Sequence, residues 1–324
     1  MTREATDPRW DVLCAGIVVA DHICRPVPRL PPPGGLVLTD GMALSVGGCA
    51  ANVAVDLSNL GRRSAIAGCI GDDTFGRHVD EVLRSAGVDC KCLQARPDSE
   101  TACTMVLNVA GEDRRFIHVL GANADFSGDE LTPQVVARAR ALYVGGYGLV
   151  ESLSPQNVFR LFSTARDHGV TTVLDVVLAE PRDYRTWLQP VLPLTDLFLP
   201  NSDEAEMLLG EADPLRQAET FHADGAGIAL VTCGPDGAVL VGDEGRWRSA
   251  AHRVKTVDGT GSGDAFLAGL LHARFNDDDW PAALRYGSAL GARCAESPGA
   301  TTGLPDAAEL EQFVRDHPLD VVEG

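Results

Sequence analysis

The sequence has no long apolar run, no signal peptide and no excess of basic residues. None of its uncharged apolar stretches approaches the roughly 18–20 residues of a membrane-spanning helix, and residues 1–14 carry acids and Pro8 where a signal peptide has an apolar core. A cytoplasmic protein without a membrane partner is therefore predicted. The 27 Lys and Arg against 46 Asp and Glu give a net charge of −19, which repels phosphate backbones, so no nucleic-acid partner is expected.

The cysteines also lack the spacing of a disulfide-bonded or zinc-binding protein. Nine cysteines are an odd number, and they are spread over a chain of 324 residues, which argues against a disulfide framework. Only Cys90 and Cys92 are close together, and no second Cys or His pair follows at the spacing of a zinc finger. Neither a disulfide framework nor a structural zinc site is predicted.

Short apolar segments alternate with helical patterns along most of the chain. The strand-like segments are 11–20, 141–146, 171–177, 197–201 and 227–233, and helical periodicity covers 50–60, 156–168 and 203–209. This alternation predicts an α/β fold in which a mainly parallel sheet is covered by helices on both faces.

Two segments, 24–45 and 91–118, do not follow this alternation. In the second, two β-rich runs flank the hairpin-like sequence Ala110-Gly111-Glu112-Asp113. We interpret the two segments as a small antiparallel appendage. It could be a lid over a crevice or an edge that packs against another copy of the chain, and the residues alone do not distinguish these roles.

The strongest local signal is the glycine-rich sequence at 254–275. A β-like run is predicted to end at Asp258, glycines follow at 259, 261 and 263, and an apolar helix begins near Ala265. Backbone N–H groups at the amino end of a helix bind anions, and phosphate is the obvious candidate. The sequence is not a Walker A loop. Nor is it a dinucleotide fingerprint, because Asp264 occupies the third glycine position, which argues against an oxidoreductase.

Asp264 allows two interpretations. A carboxylate beside a phosphate site is useful if a hydroxyl must be oriented for attack on that phosphate, and the helix dipole would help to keep such a base ionised. Aspartate in the first turn of a helix is equally typical of a cap. The local sequence leaves both roles open.

Two motifs resemble those of the ribokinase-like (PfkB) carbohydrate kinases. The sequence DGTGSGDAF at 258–266 is similar to the C-terminal signature of that family, and SVGGCAANVAVDLSNLG at 45–61 is similar to its N-terminal Gly-Gly motif. Shorter landmarks lie in the family's order at 16–21, 71–76, 121–124, 201–204 and 232–237, so the resemblance covers about residues 11–317. It implies one domain over residues 1–324, with a ribokinase-like three-layer α/β/α sandwich, a mainly parallel central sheet and a small β-sheet lid.

The resemblance also implies an activity and a set of site residues. The activity is transfer of the γ-phosphoryl group of Mg·ATP to a hydroxyl of a small carbohydrate. Asp264 would be the catalytic base, and the N–H groups of Gly261, Ser262 and Gly263 would hold the transferred phosphoryl group. The acceptor would contact Asp21, Gly47, Gly48, Asn52 and Asn123, the nucleotide would contact Asn201, Thr232, Gly234 and Gly237, and Glu204 would organise Mg²⁺.

Several of these residues also have a purely structural explanation. Asn201 and Glu204 form a capping-box pattern, and the segment 234–237 reads as an ordinary turn. Asp21 could end a strand, and Asn52 could serve the first turn of a helix. The acids 277–279 before Trp280 are interpreted as a solvated helix start.

The sequence departs from the family pattern at positions that concern the acceptor. Cys49 and Ala50, with Gly146-Tyr147 at a strand end, differ from the ribose-specific pattern, so ribose is not favoured. Residues 174–181 keep Asp175 but lack an Asp-x-Asn-x-Arg motif, which weakens a sugar acid. The prediction is a sugar kinase of open acceptor. A nucleoside kinase and a catalytically silent nucleotide-binding regulator are the alternatives. The resemblance further suggests K⁺ activation, and the β-rich appendage suggests a homodimer formed through the lid.

Overall fold

The computed structural model describes residues 10–112, 114–179 and 183–324. Parts of three segments lie outside these residues: residues 1–9 of the segment 1–14, Asp113 of the hairpin-like turn, and the last two residues of the segment 174–181. Within the described ranges, no helix is long and apolar enough to cross a membrane.

The strands of the described residues pair into two sheets. In chain order they are β1 (Trp10–Gly16), β2 (Val19–Cys24), β3 (Met42–Gly47), β4 (Ser64–Gly71), β5 (Asp89–Arg96), β6 (Cys103–Leu107), β7 (Arg115–Val119), β8 (Ala139–Tyr147), β9 (Thr171–Val176), β10 (Leu197–Phe198), β11 (Ile228–Thr232), β12 (Ala238–Gly242), β13 (Gly245–Ser249) and β14 (Val321–Glu323). A ten-stranded sheet has the order β14-β13-β12-β11-β10-β9-β8-β1-β4-β5, and a four-stranded sheet has the order β3-β2-β6-β7.

The ten-stranded sheet is mainly parallel, as predicted. Its neighbours from β5 to β11 run parallel, whereas β12, β13 and β14 are added antiparallel at one edge. In such a sheet the carboxyl ends of the parallel strands share one edge, where ligands of α/β proteins usually bind.

Helices cover both faces of this sheet. They are α1 (Cys49–Asn59), α2 (Thr74–Ser85), α3 (Pro133–Val136), α4 (Pro155–Asp167), α5 (Tyr184–Leu188), α6 (Ser202–Leu209), α7 (Pro214–Ala223), α8 (Ser262–Arg274), α9 (Trp280–Ala295) and α10 (Ala307–Asp316). Successive residues of β1 alternate between two core clusters. Val12 and Cys14 belong to the cluster that includes α1, α8 and α9, whereas Leu13 and Ala15 belong to the cluster that includes α4 and α7. The predicted three-layer sandwich is therefore confirmed.

The four-stranded sheet is the lid, and its boundaries differ from the predicted segments. It is also not wholly antiparallel as predicted, because β2 and β6 run parallel. Its strands are β2, β3, β6 and β7, so much of the segment 24–45 is irregular chain, and residues 89–96 form the edge strand β5 of the large sheet. The edge strand β5 and the lid strand β6 both mix buried and exposed positions, so the sequence pattern cannot show which sheet a strand joins.

Two further local predictions are corrected by the structure. The single strand predicted over 11–20 is broken into β1 and β2 after Gly16, whose φ is +141° and where a Cβ would lie 2.1 Å from the Gly145 carbonyl oxygen. The β-like run before Asp258 is not a strand, and α8 begins at Ser262 instead of near Ala265. The predicted helix start before Trp280 is confirmed, with Asp279 as N-cap.

Candidate active site

A carboxylate from α8 and an amide from α1 meet at the carboxyl edge of the large sheet. Asn52 lies in the first half of α1, which begins directly after Gly48, and Asp264 lies in the first turn of α8. The Asn52 Nδ2 atom donates a hydrogen bond of 2.8 Å to Asp264 Oδ2. Two residues that are 212 positions apart in the chain, both predicted from motifs, are therefore in direct contact.

The glycine-rich turn is held by Asp258. One oxygen of its carboxylate accepts from the backbone N–H of Thr260 (2.9 Å) and from the Thr260 hydroxyl (2.7 Å), and the other accepts from the N–H of Gly299 (3.0 Å). Gly261 is the N-cap of α8 with φ +77°, and a Cβ at Gly263 would meet no atom within 4 Å. The turn thus presents an open helix amino end.

Only part of the predicted anion-binding group has free amides. The N–H of Ser262 donates to the carbonyl of Gly259 (3.3 Å), so this amide has an internal acceptor. The N–H groups of the first helical turn as a class have no intrahelical acceptor, and they remain directed out of the helix end. Binding of a phosphoryl group by Gly261, Ser262 and Gly263 stays a prediction.

Burial makes Asp264 a weaker acid than expected. Burial, and next the charge of Asp175, raise the pKa of Asp264 from 3.8 to about 8, while its hydrogen bond with Asn52 lowers it. The helix dipole was expected to favour the ionised form, but the stronger influences act in the opposite direction. The carboxyl group of Asp264 is therefore more readily protonated than that of an exposed aspartate.

Asp175 lies beside Asp264, although the sequence indicated it only as part of an incomplete motif and not as a site residue. Its two carboxylate oxygens accept from the Tyr143 hydroxyl and the Gly146 N–H, each at 2.7 Å, and burial raises its pKa to about 6. The ligand atoms of Cys49, Asp175 and Asp264 all lie within 4.8 Å of one another. The available signal was the position of Asp175 near the carboxyl end of an apolar strand segment.

Asp21 approaches the site from the lid. It lies inside β2 and not at a strand end, and a Cβ on Gly47 would be only 1.9 Å from Asp21 Oδ2. In the lid register Asp21 pairs with Thr104, and the Thr104 hydroxyl lies 3.0 Å from Nδ1 of His118. Burial raises the pKa of Asp21 to about 6, although its hydrogen bond with Thr104 lowers it.

Gly48 and Asn123 have well-defined structural roles. Gly48 has φ +89°, and a Cβ there would meet the Ile17 carbonyl oxygen at 2.5 Å. Asn123 is fully buried, and its side-chain amide accepts from the N–H of Val18 (3.1 Å) and donates to the carbonyl of Val18 (3.0 Å). This geometry favours a bracing role for Asn123 at the junction of β1 and β2, and its contact with an acceptor stays a prediction.

The nucleotide-side residues lie together at the carboxyl end of β11. Asn201 and Glu204 form a capping box, with both hydrogen bonds at 2.9 Å, which confirms the local interpretation. Asn201 also forms an isolated parallel bridge with Thr232. A Cβ at Gly237 would lie 1.9 Å from the Ser249 carbonyl oxygen, whereas one at Gly234 would meet nothing.

Glu204 is electrostatically linked to the carboxyl groups of Asp175 and Asp264. Burial, followed by the charges of Asp175 and Asp264, raises the pKa of Glu204 to about 8, although the hydrogen bond that it accepts from the Asn201 N–H lowers it.

Arg114, another residue that the motifs did not indicate, approaches the glycine-rich turn: a Cβ on Gly259 would lie 2.9 Å from Arg114 Nη1.

Comparison with known proteins adds a family and a set of relatives. A model described as pfkB family carbohydrate kinase matches residues 10–307. The aminoimidazole riboside kinase of Salmonella typhimurium is 30% identical over 286 residues, which cover 84% of this chain and 89% of that protein. A probable fructokinase of Arabidopsis thaliana is 28% identical over 334 residues, which cover 97% of this chain and 95% of that protein.

A solved structure shows the same fold. An E. coli protein crystallised under the name ribokinase II, in complex with ATP and Mg²⁺, superposes with a TM-score of 0.83 at 22% sequence identity. The match covers 95% of this chain and 100% of the E. coli chain.

Proposed function

Because the chain belongs to the pfkB family of carbohydrate kinases and has the ribokinase-like α/β fold, we propose that it transfers the γ-phosphoryl group of Mg·ATP to a hydroxyl of a neutral sugar, with Asp264 as catalytic base. The observation that carries this proposal is the placement of a partly buried carboxylate, held by Asn52, in the first turn of a helix whose amino end is open.

In the proposed reaction Asp264 takes the proton of the acceptor hydroxyl. The hydroxyl oxygen forms a bond to the γ-phosphorus as the bond from that phosphorus to the bridging oxygen breaks, and the electron pair leaves with ADP. Asn52 orients the base, and the amino end of α8 faces the negative charge of the phosphoryl group. Most of the catalysis is positioning and charge stabilisation.

The donor chemistry of the site fits Mg²⁺ near Glu204. Glu204, Asp175 and Asp264 are oxygen donors: the charges of Asp175 and Asp264 raise the pKa of Glu204, and the charge of Asp175 raises that of Asp264. A hard divalent cation prefers such ligands. Glu204 and Asn201 would hold the cation or its waters, and bound Mg²⁺ would neutralise phosphate charge. The thiol of Cys49 is a soft ligand, so we place the cation toward Glu204 and not in the triad of Cys49, Asp175 and Asp264.

The charge of the site favours a neutral acceptor. The charges of Asp175 and Asp21 both act on Asp264, beside which the acceptor hydroxyl would lie, and Arg114 is a basic side chain that approaches the glycine-rich turn. Carboxylates accept hydrogen bonds from the hydroxyls of a polyol but repel a sugar acid or a sugar phosphate. A free sugar or a riboside is therefore the proposed class.

The direct test is an ATP-consumption screen over neutral sugars, ribosides, sugar acids and sugar phosphates. The screen is run in K⁺ and in Na⁺ buffers, because activation by K⁺ near Asp258 is proposed on the family resemblance alone. Turnover with neutral sugars is expected. Activity confined to ribosides would establish the nucleoside-kinase alternative, and ATP binding without turnover on any class would establish the silent regulator.

Glu204→Gln is expected to raise the Mg²⁺ concentration needed for half-maximal turnover several-fold without loss of thermal stability. Gln still accepts from the N–H of Asn201, so the cap survives, but the anionic ligand is lost. The matched control is Glu309→Gln, because Glu309 occupies the same position of a second capping box with Asp306. An identical Mg²⁺ dependence of both variants and wild type would leave Glu204 with a capping role only.

Asp21→Ala is expected to reduce kcat/KM for the acceptor by the equivalent of about 1–3 kcal/mol, because a buried hydrogen-bonding partner is removed. The KM for ATP should not change. Asp11→Ala is the control: Asp11 is also buried, but it lies at the opposite end of the sheet and accepts from the N–H of Arg63 (2.9 Å). Equal effects of Asp21→Ala on the two substrates would remove it from the acceptor site.

The outer face of the lid is the proposed dimer surface. Leu44, Met105 and Ile117 lie in one cross-strand row and are 39%, 49% and 61% exposed. Sedimentation is expected to show a concentration-dependent dimer that Met105→Glu converts to a monomer. Leu36→Glu, at an exposed position outside the lid strands, should leave the dimer intact. A wild-type monomer at all concentrations would refute this surface.

A further inference from the structure

Asp56 is a buried acid that the proposed reaction does not use. It lies on α1 with 1% of its surface exposed, and neither of its carboxylate oxygens has a hydrogen-bond partner within the described part of the chain. An ionised carboxylate in that position would be strongly unfavourable unless a cation or several donors compensated its charge.

Asn52, one helical turn before Asp56, has a buried acceptor atom that lacks a hydrogen-bond donor within the described ranges. Asn52 is 4% exposed, its Nδ2 donates to Asp264 Oδ2 at 2.8 Å, and its Oδ1 is buried without a donor among the described residues. Residues four apart on a helix are neighbours on one face. The acceptor atom that needs a donor and the acid that needs a proton are therefore on the same side of α1.

Among the described residues that shift the pKa of Asp56, none is a basic group that could neutralise its charge. The titratable groups facing it are Asp264 on α8, and the buried thiols of Cys14 on β1 and Cys294 on α9. Burial and the charge of Asp264 both raise the pKa of Asp56 well above its ordinary value. A bound proton is therefore what neutralises this carboxyl group.

We propose that Asp56 is a positioning residue whose carboxyl proton is donated to Asn52 Oδ1, which orients the Asn52 amide so that Nδ2 faces Asp264. This assignment rests on the proposed role of Asp264 as base. An ionised Asp56 would attract Nδ2, the amide would turn over, and Oδ1 would then face Asp264. In that orientation Asn52 Oδ1 would accept a hydrogen bond from the protonated form of Asp264. A protonated Asp264 cannot take the proton of the acceptor hydroxyl. The proton on Asp56 thus favours the ionised form of Asp264.

The test compares Asp56→Asn with Asp56→Leu. Asn supplies an N–H donor to Asn52 Oδ1 in place of the acid proton, so it should keep kcat within about twofold of wild type. Leu has a similar size and no donor, so kcat should fall about tenfold, the acidic limb of the pH profile should move to higher pH, and the KM for ATP should not change. Equal kcat in the two variants, or an unchanged pH profile in Asp56→Leu, would overturn the assignment.

An infrared measurement tests the proton without any turnover. The difference spectrum of wild type minus Asp56→Asn at neutral pH should contain the carbonyl band of a protonated carboxylic acid, and the same subtraction in an Asp264→Asn background should retain it. A carboxylate band instead would overturn the assignment even if Asp56→Leu failed to fold. If the band is present but no acceptor is phosphorylated, the proposed function fails and the protonated state of Asp56 stands. If the band is absent in an active kinase, only the assignment of Asp56 fails.

Discussion

Asp264→Asn is expected to lower kcat by about 10²–10⁴-fold while the protein remains folded. Asparagine keeps the size of the side chain and most of its capping ability, but it cannot take the proton of the acceptor hydroxyl. ATP affinity should be retained or improve, because a negative charge next to the γ-phosphate has been removed. The measurement is steady-state kinetics with an acceptor from the screen, together with ATP titration and thermal melts.

The control for this substitution is Asp279→Asn. Asp279 is the N-cap of α9 and accepts from the N–H of Ala282 at 2.8 Å, so it is an acid at a helix start outside the site. Asn is an equally good cap, and turnover and stability should both be unchanged. A turnover of Asp264→Asn within a few-fold of wild type would refute the catalytic assignment.

The same variant should also change how stability depends on pH. The pKa of Asp264 is raised from 3.8 to about 8 on folding, chiefly by burial and by Asp175. The stability that its protonated form contributes is therefore complete below pH 3.8 and is lost as the pH rises through about 8. Asp264→Asn has no such proton to lose, so its melting temperature should decline less between these pH values. Parallel curves for the two proteins would contradict the raised pKa.

Gly261→Ala is expected to destabilise the protein by about 2–5 kcal/mol and to abolish most turnover. The backbone of Gly261 has φ +77°, and its added Cβ would lie 2.5 Å from the Cβ and 2.7 Å from the Cα of Ala300. The turn can accommodate the methyl group only by moving, and a movement displaces the helix end that carries Asp264. Chemical denaturation and kinetics measure the two losses.

Gly169→Ala separates backbone strain from steric overlap. Gly169 has a similar φ of +71°, but a Cβ there would meet no atom within 4 Å. This variant should lose only the strain energy, about 1–2 kcal/mol, and keep its turnover. If Gly261→Ala cost no more than Gly169→Ala, the contact with Ala300 would be unimportant.

The sequence determined the parts of this protein that depend on local chemistry. The alternation of apolar segments and helical patterns predicted the mainly parallel sheet with helices on both faces. The glycine-rich motif identified the open amino end of α8, and the Asn201–Glu204 pattern identified a capping box whose two bonds the structure contains. Each of these features depends on residues that are close together in the chain, so the residue types alone are enough to predict it. The cytoplasmic location and the single domain over residues 1–324 stay predictions.

Only the tertiary structure decided the features that join distant segments. It placed residues 89–96 in the large sheet and not in the lid, and it set Asp21 inside a lid strand against Gly47. It also placed Asp175 beside Asp264 and paired Asn52 with Asp264, residues 212 positions apart. Strand pairing, burial and the approach of like charges depend on which segments become neighbours in space. A raised pKa follows from burial and neighbouring charge, and neither can be read from the residues next to it in the chain.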